Sequence, residues 1–164
     1  IGSGLVGSEM CIRDRHYKYK RRSVVLNFRK DIAMELDTNN HSVFMLNYHL
    51  IMCVKYRNNV IDDAISLRLK EIFKNICLNY NISLEEWNHD KDHVHILFRG
   101  QPNSEISKFI NAYKSASSRL IKKEYPEIKK HLWKDMFWSQ SYCLISTGGV
   151  TVDIIKEYIQ TQGR

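Results

Sequence analysis

The sequence predicts an α+β domain built on a four-stranded antiparallel sheet. Three observations carry that expectation: short β-branched and aromatic runs bounded by turn signals, two longer stretches with three- and four-residue apolar spacing, and the way these alternate along the chain. Residues 41–56 read HSVFMLNYHLIMCVKY and end at Arg57-Asn58-Asn59, which predicts a buried strand. Asp62 or Asp63 then caps a helix to about Asn79, whose apolar positions are Ile65, Leu67, Leu69, Ile72, Phe73, Ile76 and Cys77. Two strands around 83–88 and 93–99, joined by the polar Asp90-Lys91-Asp92, form a hairpin. Gly100, Pro102 and Asn103 stop the second of these, and Ser104 is the expected cap of a long helix carrying Ile106, Phe109, Ile110, Tyr113, Ala116, Leu120 and Ile121. Pro126 ends that pattern and opens a short helical piece to about Trp133. Residues 137–147 read as a strand, Gly148-Gly149 as a turn and hinge, and 150–162 as a final, mobile helix. The order β-α-β-β-α-β-α is that of a ferredoxin-like, RRM-like fold with helices on one face of the sheet.

Composition narrows the function classes. The chain has 164 residues, 43% hydrophobic and 26% charged, enough for one core-forming domain. No apolar run approaches the roughly 20 residues of a membrane span, and no signal-peptide pattern opens the chain. Cys11, Cys53, Cys77 and Cys143 are too dispersed for a metal-binding CxxC pair or a disulfide framework, so a reducing cytoplasm is the expected compartment.

The formal charge of +7 raises nucleic acid as a partner, but it is unevenly spread. Residues 1–33 hold eight positive and three negative charges without sustained periodicity, and their stretch Leu5 to Arg15 resembles translated library-adapter sequence. They are read as a non-native or disordered basic extension, with 34–164 as the domain and Met34 as the natural start. Within the domain, cations concentrate between Lys108 and Lys134, where eight stand against Glu124 and Glu127. Lys108, Lys114, Arg119, Lys122 and Lys123 are therefore the candidate phosphate contacts. Trp138, with Trp133, Phe137 and Tyr142, is a candidate for stacking on unpaired bases, against the ordinary alternative of a core aromatic.

His93-Val94-His95 is the sharpest local feature. Alternation on a strand sends both imidazoles to one face, about 7 Å apart at the backbone, where they can converge on one divalent metal. The same pattern also arises on solvated strand faces. Asp90 and Asp92 stand where they can orient the rings. On the terminal helix Tyr158 and Gln162 are four residues apart and share a face.

Taken in order, Asn47-Tyr48-His49-Leu50 with Lys55-Tyr56-Arg57, Asp92-His93-Val94-His95-Ile96-Leu97, Lys114 to Arg119, Phe137 to Tyr142, and Tyr158-Ile159-Gln160-Thr161-Gln162 resemble the small single-tyrosine HUH transposases of bacterial and archaeal insertion sequences, the IS200-like family. The resemblance covers about residues 41–162. It implies a metal-dependent enzyme that cleaves and rejoins single-stranded DNA at hairpin-bearing transposon ends. Tyr158 would be the nucleophile forming a 5′-phosphotyrosine, and His93, His95 and Gln162 would be ligands of Mg²⁺ or Mn²⁺. It further implies a prokaryotic homodimer whose terminal-helix tyrosine can complete the partner's site. Two alternatives stay open: a non-catalytic nucleic-acid-binding module, whose binding would survive chelation, and a domesticated relative that processes palindromes.

Overall fold

The computed structural model describes residues 24–27, 33–39, 41–147 and 160. Its centre is an antiparallel sheet of β4 (Leu46–Cys53), β5 (Ser83–His89), β6 (His93–Gly100) and β7 (Cys143–Thr147), in the order β5-β6-β4-β7. Two helices, α1 (Asp63–Cys77) and α2 (Ile106–Glu124), connect β4 to β5 and β6 to β7. Both pack on one face. This is the expected ferredoxin-like arrangement, in which the first and third strands of the unit are neighbours at the centre.

The core forms because the two periodicities meet. Leu50 and Met52 on β4, with Val54 just past its end, alternate with the residues of the other face, as do Val94, Ile96 and Phe98 along β6, and they share a core with Leu69, Ile72 and Phe73 of α1 and Phe109, Ile110 and Tyr113 of α2. Phe73 is the hub: its ring meets Phe109 and Tyr113 at 5.0 Å between centroids, Trp87 at 5.9 Å and Phe98 at 6.0 Å. Polar atoms on this side find partners. The Trp87 indole donates to Ser66 Oγ at 3.0 Å, and the Trp138 indole donates to Ser117 Oγ at 2.9 Å.

Several expected boundaries move. The stretch 41–56 is not one strand: β3 (Val43–Phe44) pairs with β2 (Ala33–Thr38), β4 starts after Met45, and Lys55–Arg57 is a single 3-10 turn. Asp62, rather than Asp63, caps α1, accepting from the Ile65 N–H at 2.8 Å. Ser104 does not cap α2. Its hydroxyl accepts from the Gln101 N–H and donates to the Asn81 carbonyl, tying two loops together, while Glu105 holds the cap position without a side-chain bond. Residues 137–142 lie outside β7. Phe137 and Trp138 are apolar because they are buried, and one bridge from Trp138 to Val54 holds them beside β4. After Pro126 come two 3-10 pieces, Pro126–His131 and Trp133–Asp135. Upstream, β1 (Val24–Asn27) pairs antiparallel with β2, a strand that the reading of residues 1–33 did not include. Residues 148–159 and 161–164, with Tyr158 and Gln162, lie outside the described residues.

Candidate active site

The sheet face away from the helices carries the site. Asn47, His49, Ile51 and Cys53 alternate onto it from β4, and His93, His95, Leu97 and Arg99 from β6. The register sets His95 opposite Ile51 and His49 opposite Leu97, so His49 and His95 are diagonal neighbours, within reach of two imidazoles. His49 Nε2 lies 3.1 Å from His95 Nδ1, with the rings stacked at 5.3 Å and 22°. His95 Nε2 in turn lies 3.1 Å from His93 Nε2.

The chain of contacts continues outward. His93 Nδ1 meets Asp92 Oδ1 at 2.5 Å, and Arg57 Nε donates to Asp92 Oδ2 at 2.6 Å. A five-residue line therefore runs Arg57, Asp92, His93, His95, His49, from an exposed guanidinium to a buried imidazole. Burial alone would raise the Asp92 carboxyl, but the bonds to His93 and Arg57 outweigh it and hold it below the usual carboxylate range. Burial, helped by the neighbouring His93 and His49, pushes His95 down to about 4, and burial lowers His49 as well. Both rings are thus neutral at physiological pH.

Imidazoles held this way fit a divalent cation. In the tautomers that place the His93 Nδ1–H toward Asp92 and the His95 Nδ1–H toward His49, both Nε2 lone pairs are available for a metal. Two nitrogens at right angles about one first-row metal stand roughly 3 Å apart, the spacing these two have. Asp90, Asp92 and His93 also bring ligand atoms within 4.8 Å of one another, a set compatible with a divalent metal. Asp92 is less available than His95, since His93 and Arg57 already engage both its oxygens.

The structure brings together His93, His95 and Asp92 of the residues singled out from sequence. It adds His49 and Arg57, which stand in stretches that carry the resemblance but had no assigned role; that His49 reaches His95 is legible only once the β4–β6 register is known. Gln160 is helical and donates to Glu86 Oε2 on β5 at 3.3 Å.

The expected phosphate contacts divide. Lys114, Arg119, Lys122 and Lys123 line a groove of about 950 Å³ with Lys55 and Lys129, in which Asp135 is the one carboxylate among the described residues. Lys114 donates to the Gln140 carbonyl at 2.7 Å and Lys122 to Asp135 Oδ2 at 2.7 Å. Lys108 lies outside this groove, paired with Glu105. Trp138 borders the groove but is only 7% exposed, packed on Phe137 and bonded to Ser117, so it has no open face to offer a base.

The domain is a ferredoxin-like sheet with paired histidines on one face and a basic groove along α2, and comparison gives it a family. The chain belongs to the transposases of IS200-like type, whose family model matches residues 42–162. It is 34% identical over 131 residues to the ISDra2 transposase TnpA of Deinococcus radiodurans, covering 80% of this chain and 94% of that one. It is 25% identical over 122 residues to the transposase of insertion sequence element IS200 from Salmonella typhimurium, covering 74% and 80%. A crystal structure described as a transposase of Deinococcus radiodurans superposes with a TM-score of 0.63 at 32% identity, over 77% of this chain and 97% of that one. The structure of a REP-associated tyrosine transposase bound to a REP hairpin shares the fold, with a TM-score of 0.56 at 9% identity, over 88% and 70%. No described helix is long and apolar enough to cross a membrane.

Proposed function

We propose that this transposase cleaves and rejoins single-stranded DNA at hairpin-bearing transposon ends through a 5′-phosphotyrosine on Tyr158. In this reading the domain is 34–164, the working unit is a homodimer, and His93, His95 and Gln162 hold Mg²⁺ or Mn²⁺. The observation that carries it is the pair of His93 and His95 Nε2 atoms at 3.1 Å, each ring anchored through its Nδ1.

A divalent cation bound there supplies Lewis acidity toward the scissile phosphate and the oxygen displaced from it. The protein's own residues do the rest. Asp92 and His49 fix the two ring orientations, and Arg57 keeps Asp92 ionised and in place. Tyr158 loses its phenolic proton to solvent and its oxygen attacks phosphorus. A phosphorus–tyrosine oxygen bond forms as the phosphorus–O3′ bond breaks, and the displaced O3′ takes a proton from solvent to become a free 3′-hydroxyl. Attack by another 3′-hydroxyl reverses the step without ATP, because the phosphodiester energy is kept in the protein link. Lys114, Arg119, Lys122 and Lys123 neutralise backbone phosphates in the groove.

The test is incubation with hairpin-bearing single-stranded DNA and Mn²⁺, followed by a denaturing gel. Wild-type protein forms a covalent adduct that EDTA prevents, and Tyr158→Phe forms none. An adduct with Tyr158→Phe overturns the nucleophile. Tight binding that survives EDTA, with no cleavage under any metal, favours the non-catalytic module instead.

A further inference from the structure

Two exposed aromatic residues stand at the junction of the basic groove and the histidine line. Tyr56 is 63% exposed and Trp133 41%, and their rings meet edge to face at 5.2 Å and 86°. Phe137 and Trp138, nearby in sequence, are buried. Trp133 and Lys55 both line the groove. The Lys55 ammonium lies 4.8 Å from the Tyr56 ring and 5.8 Å from Trp133, and Lys134 lies 4.5 Å from Trp133.

The backbone is bent to present them. Tyr56 and Arg57 have φ of 59° and 55°, and Lys134 and Asp135 have φ of 48° and 59°, left-handed conformations that cost a side-chain-bearing residue on the order of 1 kcal/mol each. Two such turns face each other, each secured from outside. Lys55 N–H donates to the Phe137 carbonyl at 2.8 Å, and Lys122 Nζ donates to both the carbonyl and the carboxylate of Asp135. Arg57, next to Tyr56, is the outer end of the line leading to His93. Nothing in the core requires this corner, since neither ring is buried.

We propose that Tyr56 and Trp133 form a stacking site for one unpaired nucleobase of a single DNA strand whose backbone follows the basic groove. The chemistry of the two parts is complementary. Cations along the groove take phosphates without regard to sequence, and an exposed indole whose face is covered only by mobile lysine ammoniums takes the π-face of any base. Lys55 and Lys134 hold positive charge over the rings, and their flexible stems let an ammonium pass from a ring face to the phosphate of the nucleotide that stacks there. The position of Arg57 sets this nucleotide next to the strand segment that reaches His93 and His95. The inference rests on the single-strand reading above and goes beyond it by assigning the residues that hold a base.

The test uses the full chain, oligothymidylate and a set of the same oligomers each with one abasic position, with affinity read by anisotropy at several salt concentrations. Trp133→Ala raises Kd by about tenfold to a hundredfold, Trp133→Phe retains most of the affinity, and Tyr56→Ala has a smaller effect in the same direction. The salt slope stays that of wild type, because no phosphate contact is lost. In wild type one abasic position weakens binding, and in Trp133→Ala the same position makes no further difference. Circular dichroism and melting of each variant confirm that this surface change leaves the fold intact. Unchanged Kd in Trp133→Ala, or an abasic penalty that persists in it, overturns the stacking site while the groove reading stands. Failure of wild type to bind any single strand, with Lys123→Glu changing nothing, overturns both.

Discussion

The two faces of the sheet are made from the same strands and follow opposite rules. Toward the helices, Leu50, Met52, Val54, Val94, Ile96 and Phe98 are wholly or almost wholly buried in an apolar layer, and the indoles at its edges have hydrogen-bond partners. On the other face the buried residues are Asn47, His49, His95 and Thr147 around Leu97. Neither polar atom of the Asn47 amide has a partner among the described residues, and the Thr147 hydroxyl has none. The first face is where folding free energy is gained. The second gives some of it up to hold neutral imidazoles in a fixed line, which is the usual relation between a core and the site it carries.

The sharpest way to break this comparison is to damage each face and ask what is lost. Phe73→Ala removes the ring that four other aromatics touch, leaving a cavity that the sheet cannot close. It is expected to cost about 3–5 kcal/mol in denaturant unfolding. A loss below about 1 kcal/mol would mean that the helix-side layer is not the dominant source of stability.

Next in size is an acid-dependent term that belongs to the other face. His95 sits near 4 when folded, against an ordinary value of 6.5. Between those values the unfolded chain binds the proton and the folded one does not, so stability rises with pH across that window and is lost as pH falls through it. For metal-free protein the loss from pH 7 to pH 4 is on the order of 2 to 3 kcal/mol, with His49 adding in the same direction. His95→Gln is expected to flatten this limb. Asp92, held low in the folded state, extends the acid loss below its ordinary 3.8 in either protein. An equally steep limb between pH 4 and 6.5 in His95→Gln would move the titration to some other group.

How much of each face is legible in the sequence follows from the range of the interactions. Alternation in His93-Val94-His95 is local, so the shared orientation of the two imidazoles can be read directly, as can the helical stripes from Ile65 and from Phe109, except for Leu67, which is 61% exposed on the outer side of α1. Adjacent Asp92 is local too. His49 joins the site only through the β4–β6 register, a long-range pairing that no spacing along the chain encodes. The same limit explains Phe137 and Trp138: their apolarity is a fact about burial, and a strand was inferred where a single bridge and two side chains buried in the core do the holding. Ser104 reads as a cap because its chemistry allows one, yet the neighbouring Asn81 carbonyl and Gln101 N–H claim its hydroxyl. The basic stretch from Lys108 to Lys134 is legible as charge, but which cations share a groove depends on how the two 3-10 turns after Pro126 fold back beside α2.

The smallest effect separates the faces most cleanly. Thr147 ends β7 directly opposite Asn47, is 7% exposed, and its hydroxyl is buried without a partner among the described residues. Valine has nearly the same shape and a better fit to a strand, so Thr147→Val removes a desolvated hydroxyl while leaving the packing in place. It is expected to stabilise the protein by about 0.5–1 kcal/mol. Asn47 is the less informative target, because no apolar residue reproduces its outline and a packing defect would mask the gain. The matching change on the helix face is Ser117→Ala. There the hydroxyl accepts from the Trp138 indole and donates to the Tyr113 carbonyl at 2.6 Å, so its loss strands a buried donor and has the opposite sign. Urea melts of the two variants therefore give a stabilisation and a destabilisation if the faces differ as described. Destabilisation by both would mean that the Thr147 hydroxyl is satisfied after all, and that the site face holds its polar groups as fully as the core does.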